Sequence, residues 1–259
     1  MNLYKPMLLA VASLAIALSG SAQLSNRKEN KTEHMKKKIL FVLTSHGVKG
    51  STGEPTGFYL SEVSHPWEAL TKAGYEIDFV SPKGGNPPVD GFNLEDPVNK
   101  AFWENKEYRN KLEHSMKPSE VDPAAYIGIH YAGGHGTMWD FADNTELAAL
   151  ATKIYEKGGV VSAVCHGPAG LVNIKLSNGQ YLVDGKRVNA FTNEEEIAVK
   201  LENVVPFMLE TVLIERGARF EKSGLWQEHV TVDGRLITGQ NPQSAKKLGE
   251  EVVKVLATL

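Results

Sequence analysis

Apolar residues in this chain fall into short unbroken runs separated by stretches with helical spacing. Ile39-Leu40-Phe41-Val42-Leu43, framed by Lys38 and Thr44, is continuous, which predicts a strand buried on both faces. From Leu60 the apolar positions Leu60, Val63, Trp67 and Leu70 step by three, four and three, so an amphipathic helix is expected there. Pro66 is expected to kink or restart it. Tyr75–Val80 and Tyr126–Tyr131 predict two further strands, and Thr145–Glu156 a helix capped by Asn144 or Asp143. Gly158-Gly159-Val160-Val161-Ser162-Ala163-Val164 is too short for a buried helix and is bounded by glycine, so it predicts a central strand. A helix from Pro242 to Leu256 closes the chain. Strand-helix alternation of this kind predicts an α/β fold, a mostly parallel sheet with helices on both faces.

Two regions depart from the alternation. Residues 83–125 begin with Gly84-Gly85-Asn86-Pro87-Pro88 and continue into a charged helical stretch from Phe102 to Leu112, which predicts an insertion over the sheet edge. Tyr181–Phe191, turning at Asp184-Gly185-Lys186, predicts a hairpin, and Val230–Thr238, turning at Asp233-Gly234, predicts another.

The start of the chain changes the picture of where the protein works. Lys5, the apolar run Met7–Leu18 and the small residues Ser19-Gly20-Ser21-Ala22 have the three-part layout of a secretory signal peptide, expected over residues 1–22. Residues 23–36 are polar and read as a flexible leader, so the folded domain is expected to span 37–259 and to lie in the periplasm or outside the cell. A cytoplasmic alternative starts at Met35. A hydrophobic content of 42% suffices for a sizeable core, and a formal charge of −3 gives no reason to expect a nucleic-acid partner. A single cysteine excludes an internal disulfide.

That cysteine, Cys165, comes after the central strand and precedes His166-Gly167-Pro168. Gly167 suits a tight turn and Pro168 the first turn of a helix, so the segment reads as a nucleophile elbow. Ligands in such sheets gather at the C-terminal ends of the strands, where Cys165 is expected. A helix N-terminus there favours thiolate over thiol. The competing reading is a small buried hydrophobe. Ala132-Gly133-Gly134-His135-Gly136-Thr137 ends the neighbouring strand and offers backbone N–H groups to an oxyanion, or is simply a tight strand exit. Glu62 lies on the first helix near the strand ends, where a solvated glutamate is the plainer reading. Glu194-Glu195-Glu196 reads as an acidic helix start, one member of which is able to orient His166. Glu195 is expected to be an exchangeable flanking member. His65 and Glu68, three apart on one helix, sketch a zinc site with His114. With eight histidines in the chain such pairs arise by chance, and neither a metal nor a cofactor is expected.

Taken together and in order, Gly57–Val63, Ala132–Thr137, Ala163–Ala169 and Phe191–Glu196 resemble the ThiJ/PfpI superfamily, in the branch of the heat-shock chaperones and glutathione-independent glyoxalases (glyoxalase III), over residues 37–259. The resemblance implies a flavodoxin-like three-layer sandwich and a homodimer. It implies Cys165 as nucleophile, His166 as base, Glu62 as the carboxyl bonded to the thiol, and Glu196, with Glu194 as alternative, as the third triad member. Gly134 and His135 of the glycine loop, with the His166 N–H, would bind the oxyanion or substrate. The activity it implies is conversion of a 2-oxoaldehyde such as methylglyoxal to a 2-hydroxy acid such as lactate. A cysteine amidase, peptidase or deglycase remains an alternative, as does a holdase or thiol redox sensor meeting unfolded or glycated proteins.

Overall fold

The structure is a computed structural model that describes residues 1–3 and 37–259. The expected signal peptide from residue 4 onward and the leader over 23–36 lie outside the described residues. The domain begins with β1 (Lys38–Val42), the ribbon strand β2 (Phe58–Tyr59), α1 (Leu60–Lys72) and β3 (Glu76–Val80). Next come β4 (Val89–Asp90), α2 (Pro97–Glu104), α3 (Lys106–Glu113), β5 (Tyr126–Tyr131), α4 (Thr137–Asp140), α5 (Thr145–Glu156) and β6 (Val160–Val164). The last third holds β7 (Arg187–Val188), α6 (Asn193–Ala198), α7 (Leu209–Glu215), β8 (Arg219–Phe220), β9 (Val230–Asp233), β10 (Leu236–Gly239) and α8 (Ala245–Leu256).

Six strands form the central sheet in the order β3-β1-β5-β6-β10-β9, parallel throughout except for β9, which returns antiparallel to β10. The period-2 geometry of a strand sends Leu40 and Val42 to one face and Ile39 and Phe41 to the other. Both faces are covered. Leu40, Val42, Ile129, Tyr131, Val161 and Ala163 pack with Leu147, Leu150, Ala151 and Ile154 of α5. On the opposite face, Ile39, Phe41, Val160 and Val164 pack with Val63, Trp67 and Leu70 of α1 and Leu248 and Val252 of α8. Burial on two sides is why these strands read as continuous apolar runs, with no alternation of polar residues.

Helix α1 runs through Pro66 as one element, without the restart expected there. It meets α8 closely: a Cβ on Gly249 would lie 2.8 Å from the Pro66 Cα, so only glycine lets the backbones approach this far. The 83–125 segment covers the β3 edge as two helices, broken at Asn105, whose side chain accepts from Glu107 and Tyr108 N–H to cap α3. Trp67 of α1 meets Phe102 and Tyr108 edge-on at 5.3 and 5.5 Å. The expected hairpin over 181–191 does not form. Leu182 and Val183 turn into the core, and β7 pairs in parallel with β8, more than thirty residues away in sequence. The 230–238 hairpin forms as expected, with Gly234 at φ +59° in its turn.

Asn144 caps α5 by accepting from the Leu147 N–H at 3.0 Å. Asn144→Ala should cost about 1 kcal/mol, read as a fall in melting temperature of about 2–4 °C. An unchanged melting temperature would mean that the cap contributes nothing.

Candidate active site

The turn after β6 places the thiol. Cys165 has φ +59°, a left-handed conformation unusual for a side chain with a Cβ, and both its peptide groups are held: its N–H donates to Gly239 O at 2.9 Å and its carbonyl accepts from Phe191 N–H at 2.8 Å. The strained residue of the elbow is thus the cysteine itself. Gly167 serves a different purpose from the one expected, since a Cβ there would fall 2.2 Å from the Tyr131 carbonyl oxygen. Beyond His166 the chain makes a four-residue 3-10 turn, Gly167–Gly170, and not the expected helix. No α-helix dipole acts on the sulfur at this point.

Burial removes the other reason to expect a ready thiolate. Cys165 is 3% exposed, and its thiol is pushed well above the usual range, first by desolvation and then by Glu62 beside it. The His166 backbone N–H works in the opposite direction. The resting group is a neutral thiol, against the expectation of a depressed pKa.

Glu62 is delivered by the first turn of α1, with β2 fixing the entry of the chain: Phe58 N–H donates to Pro88 O and Tyr59 N–H to Gly133 O, both at 3.0 Å. It is not the solvated helix glutamate of the plainer reading. The residue is fully buried, and its Oε2 accepts from the Gly133 N–H at 2.8 Å. Its other oxygen, Oε1, has no hydrogen-bond partner among the described residues. Burial pushes the carboxyl from 4.5 to about 8, outweighing the Cys165 thiol and the Gly133 N–H, which favour its charged form. At neutral pH it is mainly a carboxylic acid and able to donate.

On the other side of the sulfur, His166 Nδ1 lies 3.4 Å from Cys165 Sγ, and His166 Nε2 lies 2.8 Å from Glu196 Oε2. Burial pushes the Glu196 carboxyl up, yet His166 and the hydrogen bonds from His135 and His166 prevail and hold it at about 2. A carboxylate only accepts, so His166 Nε2 carries the proton and Nδ1 presents its lone pair to the thiol. This is the tautomer required to take the thiol proton.

The glutamate run resolves into three environments. Glu194 is exposed and pairs with Lys222 at 3.1 Å, while Glu196 alone reaches His166. Glu195, expected to be exchangeable, is fully buried: Oε2 accepts from the N–H and hydroxyl of Thr192, and Oε1 from Trp226 N–H, Gln240 and Asn241. Thr192-x-x-Glu195 is a capping box, a signal present in the sequence.

The glycine loop lies beside the thiol. A Cβ on Gly133 would fall 2.5 Å from Glu62 Oε2 and 2.8 Å from His166 N, and one on Gly134, at φ +103°, would fall 2.1 Å from Gly57 O. Neither Gly134 nor His166 has an acceptor for its N–H among the oxygens of the described residues. The His135 ring lies tilted by 41° against that of His166, with centroids 4.0 Å apart, and bonds to Glu196 Oε1 at 3.0 Å through Nε2, a second histidine on one carboxylate that spacing did not foretell. A cavity of about 370 Å³ opens over the thiol, lined by Tyr59, Asp90, Phe191, Leu201 and Trp226 among others.

Among the described residues, His135, His166 and Glu196 bring three potential metal-ligating atoms within 4.8 Å of one another. The sketched zinc group does not assemble: His65 bonds to Asp96 at 2.9 Å, Glu68 to Lys72 at 2.8 Å, and His114 Nδ1 to Asn110 O at 2.9 Å.

The signature of the DJ-1/PfpI family matches residues 55–255. The chain is 36% identical over 228 residues to glyoxalase 3 of Candida albicans, covering 83% of this chain and 97% of that protein. It is 34% identical over 226 residues to glutathione-independent glyoxalase HSP31 of Saccharomyces cerevisiae, covering 81% and 93%. Among solved structures, the Rapid Encystment Protein 24 KDa of Francisella tularensis superposes with a TM-score of 0.82 at 41% identity, covering 85% of this chain and 99% of that one. Glyoxalase III from Candida albicans superposes with a TM-score of 0.79 at 34% identity, covering 86% and 98%.

The state of Glu62 has a thermodynamic signature. Between pH 4.5 and about 8 the native protein holds a proton on Glu62 that the unfolded chain has released, so stability falls as pH rises through this window. Glu62→Gln has no such proton. The stability of the wild type relative to Glu62→Gln, from denaturant titrations, should therefore decline from pH 5 to pH 8, and a constant difference would mean that Glu62 is ionised throughout.

Proposed function

The chain belongs to the DJ-1/PfpI family, and from that premise we propose that it is a glutathione-independent glyoxalase, converting a 2-oxoaldehyde such as methylglyoxal to the 2-hydroxy acid. The observation that carries this reading is one buried sulfur flanked by two proton carriers, a neutral Glu62 on one side and a Glu196-oriented His166 on the other. Acyl hydrolysis needs a single base beside its nucleophile. Isomerising an oxoaldehyde requires proton transfers at two adjacent carbons, for which two carriers suit better.

In the proposed sequence His166 Nδ1 takes the thiol proton as Sγ attacks the aldehyde carbon, forming a carbon–sulfur bond. The oxygen anion of the adduct is received by the N–H groups of Gly134 and His166 and is protonated to a hemithioacetal. Glu62, as the neutral acid, donates to the sulfur while it carries negative charge. His166 Nδ1, once it has returned its proton to the adduct oxygen, removes the proton on the former aldehyde carbon; the electron pair moves toward the neighbouring carbonyl, whose oxygen takes a proton from Glu62 to give an enediol. His166 then protonates that second carbon as the hydroxyl on the first returns a proton to Glu62, yielding a thioester. One carbon is oxidised and its neighbour reduced, so no external oxidant or reductant enters. Water then cleaves the thioester, releasing the hydroxy acid and restoring the thiol. A pKa of about 8 for Glu62 suits proton exchange near neutrality.

Purified protein given methylglyoxal without glutathione should form lactate. Cys165→Ser and His166→Ala should abolish this. Glu62→Gln should lower turnover by about 10²-fold, the scale of general acid–base catalysis, while Cys165 still reacts with a small alkylating agent. Full turnover in Glu62→Gln would remove Glu62 from the mechanism, and release of amine from amide substrates in place of lactate would favour the hydrolase.

We further propose that residues 1–22 are an export signal, on the strength of their charged, apolar and small-residue sections. Protein from the native host should have an intact mass corresponding to a start near Gln23, and a full-length mass would overturn export.

A further inference from the structure

His130 is a buried histidine that the proposed chemistry leaves unused. It sits on β5, facing the α1 layer, with its ring 4.7 Å from that of Phe41 and 1% of its surface exposed. Its two nitrogens reach in opposite directions. Nε2 lies 3.0 Å from the backbone carbonyl oxygen of Glu62, and Nδ1 lies 3.0 Å from the hydroxyl of Ser162.

The Glu62 carbonyl is available to His130 because of Pro66. In an α-helix that carbonyl accepts from the N–H four residues on, and proline at 66 has none. A carbonyl only accepts, so Nε2 carries the proton; burial lowers the imidazole to about 4, so the ring is neutral and Nδ1 accepts from Ser162. Ser162 is directly across from His130 in the β5–β6 pairing and three residues before Cys165 on the same chain segment. One imidazole thus joins the segment that carries the thiol to the residue whose carboxyl faces it.

We propose that His130 is a positioning residue, a cross-brace between Ser162 on β6 and the Pro66-vacated carbonyl of Glu62, which sets the separation of the Glu62 carboxyl from the Cys165 thiol. Without the brace, the first turn of α1 is held at Glu62 chiefly by the Gly133 N–H, and the carboxyl drifts relative to the sulfur. Displacements on the scale of 1 Å cost up to about 10²-fold in rate. The turnover effect rests on the glyoxalase reading, whereas the effect on thiol ionisation does not.

The experiment uses His130→Phe, which keeps a ring against Phe41 but offers no N–H. Two quantities are followed: lactate formation from methylglyoxal, and the pH profile of Cys165 alkylation by iodoacetamide. The brace predicts a loss of kcat of about 10- to 10²-fold and a displaced alkylation midpoint. Adding Pro66→Ala restores a backbone N–H able to hold the Glu62 carbonyl within the helix. The double variant His130→Phe/Pro66→Ala should therefore recover most of the loss in both readouts. A folded His130→Phe with wild-type kcat and alkylation profile overturns the proposal. So does a loss that Pro66→Ala leaves intact, which would trace the defect to packing alone. If wild type makes no lactate but its alkylation profile responds and is rescued, the brace stands and the glyoxalase reading falls. Should His130→Phe not fold, Ser162→Ala keeps the ring and removes the donor to Nδ1; a smaller displacement of the alkylation profile in the same direction is expected, and an unchanged profile overturns the brace.

Discussion

A carboxyl group buried beside a thiol, with no cation among the described residues to neutralise it, is the constraint around which this end of the sheet is arranged. A typical hydrogen bond contributes about 1 kcal/mol net, and a pKa unit corresponds to about 1.4 kcal/mol. The rise of Glu62 from 4.5 to about 8 therefore means that desolvation exceeds what the Gly133 N–H and the thiol return to the charged form. Proton retention is the least costly way out. The backbone around it must come close enough to exclude water, and it does so at glycines: Gly133 against the carboxyl, Gly134 against Gly57, and Gly57 against Pro88, each at a distance where a Cβ would collide.

Glu196 shows how differently a second glutamate behaves a short way off. Its side chain is only 4% exposed, so it too is penalised by burial, but His166 and His135 each reach it with an imidazole N–H. The result is an acid held neutral beside the thiol and an acid held ionised behind the imidazole that faces it. Environments that separate two carboxyl pKa values in this way divide donor from acceptor roles. The division depends on His135 as well as His166, because the carboxylate uses one oxygen for each.

Much of this was legible in the sequence, for identifiable reasons. β1, β5, β6 and α5 were readable because burial on both faces or on one stripe leaves a periodic trace. The Cys165 turn was readable from its glycine and proline, though the glycine acts through close approach and the left-handed residue is the cysteine. Residues 181–191 misled because Asp184-Gly185 does make a turn, while the pairing partner of β7 lies near residue 219, beyond any local signal. In the run 194–196, successive residues of a helix point about 100° apart, so one faces Lys222, one the Trp226 loop and one His166. Composition is the same at all three. His130 left no local trace, since its bond to Glu62 spans 68 residues and exists through the absence of a donor at Pro66.

The left-handed backbone at Cys165 bears on how this chain can change over generations. Holding a residue with a Cβ at φ +59° costs about 1–2 kcal/mol, and the bonds to Gly239 and Phe191 keep that conformation whatever side chain is present. Replacing the thiol by alanine or serine thus inherits the strain and loses the proposed nucleophile. Glycine alone relieves the backbone. A duplicated copy freed from the turnover proposed above would gain conformational ease by drifting to glycine at 165, so on that reading a glycine there marks a copy that has left the reaction.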